Sequence, residues 1–95
     1  MSDFEWDEAK RKRNLTKHGV DFEDVGDFEW KYALTFEDAR KEYGEERWIA
    51  LGHMNDRLHV CTYTMRGDNY RIISFRKASS KEQKIYAKEH YDQGR

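Results

Sequence analysis

The sequence contains no proline and only one cysteine among its 95 residues. Without proline, helices and strands must end at glycine, asparagine or aspartate, and no proline-rich recognition segment is present. A single cysteine excludes an internal disulfide, which is typical of cytoplasmic proteins, and we expect the chain to act in the cytoplasm. Cys61 falls within an apolar, strand-like segment, so we expect an inert buried thiol rather than a nucleophile.

Long apolar runs and metal-binding patterns are also missing. No stretch is long enough to cross a bilayer, and the acidic first residues do not resemble a signal peptide, so we expect no membrane partner. The histidines at positions 53, 59 and 90 show no ligand spacing with Cys61 or with one another, so we expect no metal site. We find no glycine-rich phosphate loop and no nucleophile elbow, and we expect no cofactor.

Charge, by contrast, is abundant and unevenly distributed. Charged residues make up 39% of the chain, yet the net charge is only −1. Residues 21–46 contain three Lys/Arg against ten Asp/Glu, whereas residues 47–95 contain ten against five. The basic C-terminal half can attract a polyanion, and the acidic middle can face a basic partner. The length fits a single domain over residues 1–95 with a modest core.

Capping and turn signals predict an α+β fold in the order β, α, α, β, β, β, β, α, with an antiparallel sheet, N-terminal helices and a C-terminal helix. Asp7 and Gly19 should bound the first helix, which reaches about Lys17. A second helix should run from Asp21 to about Phe28 or Trp30. The remaining predicted elements are an edge strand at Tyr32 to Thr35 within an irregular 31–45 segment, strands at Glu46–His53, Leu58–Arg66 and Tyr70–Lys77, and a last helix that a Ser79/Glu82 capping box opens and that ends near Tyr91.

Short hairpin loops fix which residues face one another. Trp48, Tyr63 and Ile73 should form one row on an apolar face that holds the helices, and Ala50, Cys61 and Phe75 another. Further along, Thr64 should pair with Ile72, and Arg66 should end opposite Tyr70. The opposite face should gather three arginines and three hydroxyl residues: Arg47, Arg66, Arg76, Thr62, Thr64 and Ser74. Such a face suits a phosphate backbone, and ordinary solvated surface charge is the alternative interpretation.

A second basic cluster lies on the first helix. Lys10, Arg13, Asn14 and Lys17 share a stripe by helical spacing, which indicates either phosphate contact or a solvated face. His18 follows Lys17 at the helix end. An imidazole there suits proton transfer near neutral pH, although a histidine at a helix C-terminus also serves as a cap.

Several segments together resemble one family of small proteins, the BrnT toxins. They cover nearly the whole chain in the family's order and spacing, and they are Phe4-x-Trp6-Asp7, Lys10, Asn14, Lys17-His18-Gly19-Val20, Phe22-Glu23-Asp24, residues 44–52, Tyr63-Thr64-x-Arg66 and Arg71-Ile72-Ile73-Ser74-x-Arg76-x-Ala78 with Glu82 and Tyr86. Two positions depart from the family pattern: Met65 stands where many relatives carry Glu, and Phe75 where many carry Ala. We expect both on the helix-covered face.

The resemblance implies a RelE-like ribonuclease toxin fold and an activity that cleaves RNA and halts translation. It also implies a BrnA-like ribbon-helix-helix antitoxin, commonly two toxins with two antitoxins, that carries the complex to promoter DNA. The alternative is a non-catalytic module that binds RNA or modulates the antitoxin.

RNA carries its own nucleophile, the 2′-hydroxyl, so cleavage needs only proton transfer and charge stabilisation and no metal ion. We predict that Arg66 and Arg76 stabilise the charged phosphorane and that His18 is the acid or base. Glu46 is a weaker candidate base, because its strand position should put it on the other face. The predicted substrate-binding residues are Lys17, Arg47, Thr64 and Ser74.

Overall fold

The computed structural model describes residues 3–39 and 44–93, the last three by their backbone only. Residues 40–43 of the predicted irregular segment therefore lie outside the described residues. The elements are β1 (Phe4–Trp6), α1 (Glu8–His18), β2 (Leu34–Glu37), β3 (Trp48–Met54), β4 (Arg57–Arg66), β5 (Asn69–Lys77) and α2 (Ser80–Gln93). The predicted α+β class is confirmed, and the edge strand lies two residues further along the chain than predicted.

Helix α1 begins and ends where its capping residues predict. The Asp7 carboxylate accepts the backbone N–H of Ala9 at 2.8 Å, and Gly19 adopts a left-handed φ of 71° with its N–H bonded to the Leu15 carbonyl. Glycine has no Cβ, so it adopts this left-handed φ without strain and can end the helix.

The prediction that the second helix is an α-helix is wrong. Residues Phe22–Asp27 form a 3-10 helix, and Trp30–Tyr32 form another. The buried side chains of Phe22, Val25 and Phe28 recur every third residue. That spacing matches the 3.0-residue turn of a 3-10 helix, in which residues i and i+3 eclipse.

The sheet has five strands in the order β1-β5-β4-β3-β2 and is mixed rather than antiparallel. The three strands from β3 to β5 are antiparallel as predicted, but β1 pairs in parallel with β5, with Phe4 opposite Tyr70 and Trp6 opposite Ile72. A three-residue strand carries no sequence signal for its direction. Its partner is the last strand in sequence, a long-range choice that local patterns do not encode.

The predicted pairing holds over most of the two hairpins and fails beyond one β-bulge. Thr62 lies opposite Ser74 as predicted, but Tyr63 lies opposite Ile72, so Ile73 is the extra residue of the bulge. Because of this shift, the side chain of Ile72 lies in the core, where that of Ile73 was expected. The same shift brings Arg71 opposite Thr64. Arg66 therefore pairs with Asn69 instead of Tyr70, across a two-residue turn.

Each face of the sheet holds a hydrophobic cluster. Helix α1 and the 3-10 segments accompany the larger one, whose buried residues are Val20, Phe22, Val25, Phe28, Ala50, Met54, Cys61, Tyr63, Ile72 and Phe75. The smaller one lies on the other face, where Tyr86 of α2 packs against Leu51, Leu58, Val60 and Ala78. The prediction that all helices share one face is therefore wrong for α2, because apolar side chains also alternate onto the face expected to be polar.

Candidate functional site

A side-chain amide joins α1 to the edge of the sheet. Nδ2 of Asn14 donates to the Phe75 carbonyl at 2.7 Å, and the Phe75 N–H donates to Oδ1 of Asn14 at 3.2 Å. The same Nδ2 donates to the Val20 carbonyl at 3.0 Å. Asn14 thus takes the place of a neighbouring strand beyond the end of β1. It is only 7% exposed, so it does not belong to an exposed basic stripe on α1.

This joint holds the last turn of α1 beside the end of β5. Burial lowers the pKa of His18, and the positive charges of Lys17 and Arg76 lower that pKa further. Three of the residues predicted from sequence, Lys17, His18 and Arg76, therefore lie within electrostatic reach of one another. A histidine whose pKa lies below its usual 6.5 is mostly neutral at pH 7 and can accept a proton.

A carboxylate orients Arg76. Its Nη1 and Nη2 atoms donate to Oε1 and Oε2 of Glu82, each at 2.8 Å. Glu82 also accepts the Ser79 N–H at 2.8 Å, and the Ser79 hydroxyl accepts the Glu82 N–H at 3.2 Å, which confirms the predicted capping box. Arg76 is the main cause that lowers the pKa of Glu82 from 4.5 to about 2. The sequence pattern reveals the cap but not this second role of Glu82.

A second group of predicted residues lies near the opposite end of β4. Glu45 forms ion pairs with both Arg47 and Arg66, at 3.6 Å in each case. The Thr64 hydroxyl donates to the Glu46 carbonyl at 2.6 Å. A pocket of about 520 Å³ is lined by Glu45, Glu46, Trp48, Thr64, Met65 and Arg66. Glu46 therefore shares a pocket with Thr64 and Arg66, contrary to the expectation that it faces away, because β3 begins only at Trp48.

The two predicted catalytic arginines do not converge. Arg76 lies opposite Val60, whereas Arg66 lies six residues further along β4. At about 3.3 Å per residue, their backbones are roughly 20 Å apart. Ser74, paired with Thr62, lies between them.

The β-bulge adds a fourth arginine that sequence reasoning missed. Arg71 donates to Oε2 of Glu5 at 2.7 Å, and Asn69 donates to the other carboxylate oxygen at 3.1 Å. Hydrogen bonds from Asn69 and Arg71 lower the pKa of Glu5. The sequence offered only the alternation of side chains along β5, and that alternation predicted Arg71 on the apolar face of the sheet.

The two departures from the family pattern lie in different surroundings. Phe75 is fully buried under the helices, as expected. Met65 is 41% exposed at the rim of the Glu45–Arg66 pocket, so the expectation that it is helix-covered is wrong.

Within residues 3–39 and 44–90, whose side chains the structure describes, no group of three or more His, Cys, Asp or Glu side chains is arranged to hold a metal ion. Across the same residues, no helix has the length and apolar character needed to span a membrane.

Comparison with known proteins places the chain in a family. The family model described as "Ribonuclease toxin, BrnT, of type II toxin-antitoxin system" matches residues 6–82. The chain is also similar to a crystal structure of the Brucella abortus ribonuclease toxin BrnT, with 30% identity, a TM-score of 0.67 and coverage of 84% of this chain and 100% of that one. Among curated proteins, none matches. The protein therefore belongs to the BrnT family of ribonuclease toxins of type II toxin–antitoxin systems.

Proposed function

We propose that this toxin cleaves RNA internally without a metal ion, that it thereby stops translation, and that its catalytic centre lies where α1 meets β5. The observation that carries the proposal is that the bonds between Asn14 and Phe75 hold the end of α1 against β5, which brings His18 within electrostatic reach of Arg76. His18 can move a proton, and Arg76 can neutralise the negative charge that develops on the phosphate. Because RNA supplies its own nucleophile, these two functions meet the requirements of cleavage.

In this mechanism, His18 accepts the proton of a 2′-hydroxyl as that oxygen attacks the adjacent phosphorus. Arg76 stabilises the pentacoordinate phosphorane, whose charge exceeds that of the ground state. The bond from phosphorus to the 5′-oxygen then breaks, and the leaving oxygen takes a proton from an acid or from water. The products are a 2′,3′-cyclic phosphate and a 5′-hydroxyl, with Lys17 and Ser74 as contacts to the RNA on either side.

Arg47 and Arg66 of the second group bind the same RNA strand further along, while Thr64, 4% exposed and bonded to the Glu46 carbonyl, holds the backbone beside them. A stacked strand advances about 3.4 Å per nucleotide, so a separation of roughly 20 Å corresponds to several nucleotides. Arg66 then holds and stabilises a different phosphate from the one at Arg76, rather than the same one.

The partner in this proposal is a BrnA-like ribbon-helix-helix antitoxin, in a complex of two toxins and two antitoxins that reaches promoter DNA only through the antitoxin. An acidic surface supports a basic partner, since seven described carboxylates of the 21–46 region are exposed: Glu23, Asp24, Asp27, Glu29, Glu37, Glu45 and Glu46. We further propose that the fold is of the RelE type and that the toxin acts in the cytoplasm, where its RNA substrate is found.

One observation favours the alternative of a non-catalytic module. Arg66, Arg71 and Arg76 each pair with a carboxylate, so RNA must displace or share these partners before it reaches the guanidinium groups. A protein that only binds antitoxin would retain these pairs throughout.

Expression without antitoxin, followed by cleavage assays on purified protein, separates the two functions. We expect growth arrest, fragmented RNA, and cleavage in EDTA that leaves 2′,3′-cyclic phosphate ends. Lys84→Ala on the exposed side of α2 is the matched control and should remain toxic. Unchanged growth with intact RNA at high protein levels would refute the ribonuclease proposal, and cleavage that EDTA abolishes and magnesium restores would refute metal independence.

A further inference from the structure

A second basic pocket lies next to the proposed catalytic centre. It measures about 400 Å³, within the range of ligand pockets, and is lined by Gly19, Val20, Asp24, Met54, Asn55, Arg57, His59 and Lys77. We call it the turn pocket, because the turn between β3 and β4 forms one of its walls. Its lining carries two permanent cations and a histidine against one carboxylate, that of Asp24.

The histidine of this pocket occupies a position where an apolar residue would be expected. His59 alternates along β4 with Cys61 and Tyr63, two members of the larger core, and is only 3% exposed. Its ring lies 5.6 Å from that of Phe75. Burying an imidazole costs free energy that an aliphatic side chain would not, so packing alone does not explain the residue.

The backbone fixes how this imidazole is presented. Nδ1 of His59 lies 2.7 Å from the Arg57 carbonyl oxygen, an acceptor, so Nδ1 carries a proton. His59 also lines the turn pocket, and since Nδ1 is bonded to the backbone, we take Nε2 as the ring nitrogen that can meet a ligand. Burial lowers the pKa of His59; the bond to the Arg57 carbonyl opposes this, and the charges of Lys77, Arg57 and His53 reinforce it.

The cations of the pocket are positioned by the same strands. Lys77 lies directly opposite His59 across β4 and β5, and Arg57 precedes His59 by two residues. The pocket adjoins the proposed catalytic centre through the end of α1, since Gly19 of its lining follows His18. Lys77 follows Arg76 in β5, so the two side chains leave the strand on opposite faces, and the pocket lies on the face of the larger core.

We propose that the turn pocket binds a phosphate group of the RNA, adjacent to the phosphate that is cleaved, through Nε2 of His59, Lys77 and Arg57. The identity of the ligand as RNA rests on the proposed function. Nε2 donates to a phosphate oxygen once His59 is protonated, so phosphate binding takes up a proton. Charge-assisted bonds of this kind are about twice as strong as neutral ones.

Inorganic phosphate tests the pocket without any need for cleavage. In an NMR titration of the full chain, we expect saturable shifts of the His59 ring signals and a higher His59 pKa, while His90 of α2 does not respond. His59→Asn retains an amide that can donate to the Arg57 carbonyl but lacks Nε2, so it should weaken phosphate binding. Phosphate binding by this variant is measured from the chemical shifts of the backbone amides of residues 57 and 77. Absence of a saturable response in the parent protein would overturn the proposal.

Cleavage kinetics test whether the bound phosphate belongs to RNA. His59→Asn should raise KM about tenfold or more and leave kcat near the parent value. Lys77→Ala should have the same effect, and because Lys77 is exposed, this variant tests the pocket without altering a buried residue. The control Lys84→Ala, on the exposed side of α2, should leave both constants unchanged.

The outcomes separate this inference from the proposed function. If the parent protein cleaves RNA but both pocket variants keep its KM, the turn pocket is not an RNA site and the ribonuclease proposal stands. If the parent cleaves no RNA, the ribonuclease proposal fails, and the phosphate titration alone decides whether the pocket binds phosphate.

Discussion

Asn14 satisfies both backbone polar groups of Phe75, 61 residues away in the sequence. The side-chain amide continues the hydrogen bonding of β5 after β1 has ended, and its bond to the Val20 carbonyl also fixes the chain that leaves α1. The position of His18, four residues after Asn14, therefore depends on this joint.

Asn14→Leu should destabilise the protein by about 2 to 6 kcal/mol, because it leaves the buried N–H and C=O of Phe75 without partners at roughly 1 to 3 kcal/mol each. Denaturant unfolding measures the change. Asn14→Asp keeps the acceptor and loses the donor, so it should also be destabilising. The exposed neighbour Thr16→Ala is the control, and equal stability of Asn14→Leu and the parent would show that the joint does not stabilise the fold.

Acid stability should report the pair formed by Arg76 and Glu82. The folded pKa of Glu82 is lowered from 4.5 to about 2, so its contribution is complete above pH 5 and is lost as the pH falls from about 5 to about 2. The contribution is at most roughly 3 kcal/mol. Glu82→Gln should therefore be less stable than the parent at pH 7 and nearly equal to it at pH 2.

This comparison is made by denaturant unfolding across that pH range, with Glu89→Gln, on the exposed side of α2, as the control. A difference between Glu82→Gln and the parent that stays constant from pH 7 to pH 2 would contradict the assignment of the pKa shift to this pair.

Arg66→Ala should raise KM for RNA more than it lowers kcat. The reason is its distance of roughly 20 Å from Arg76 along the sheet, which places it on another phosphate. Its side chain is 55% exposed, so the substitution should change stability by less than about 0.5 kcal/mol. A fall in kcat as large as that of Arg76→Ala would instead mean that RNA binding brings both arginines to one phosphate.

The acidic surface should govern association with the antitoxin. Reversing charge at exposed positions, as in Asp27→Lys or Glu29→Lys, should slow association, with a smaller effect at high salt. Surface plasmon resonance at two ionic strengths measures this, and Glu89→Lys on α2 is the control. Association rates that match the parent at low salt would place the antitoxin elsewhere.

Local chemistry made much of the fold predictable. Asp7 and Gly19 bound α1, and Ser79 with Glu82 opens α2, because each of these signals acts within four residues of its position. The hairpin pairing of β3 with β4 was predictable as well, since the turn sets the register of both strands.

Long-range choices were not predictable. The bulge at Ile73, the parallel pairing of β1 and the docking of α2 on the second face each depend on contacts between distant segments. For the candidate site, the residue types at positions 17, 18 and 76 were evident in the sequence. The proximity of these three residues was not evident, because it depends on the hydrogen bonds between Asn14 and Phe75.

The central claim concerns the junction of α1 and β5, and Arg76 tests it most sharply. Glu82→Gln removes the carboxylate that orients this arginine but can still complete the capping box, so it should lower cleavage activity less than Arg76→Ala does. Arg76→Lys should recover little, since an ammonium cannot offer two donors in a plane.

The decisive measurement is the rate at which purified parent and Arg76→Ala cleave a defined RNA in EDTA, at a temperature where both are fully folded, with Lys84→Ala as control. We predict a loss on the order of 100-fold for Arg76→Ala, the usual effect of removing a donor that stabilises transition-state charge, and no loss for the control. Cleavage by Arg76→Ala at the parent rate would contradict the assignment of the catalytic centre to this junction.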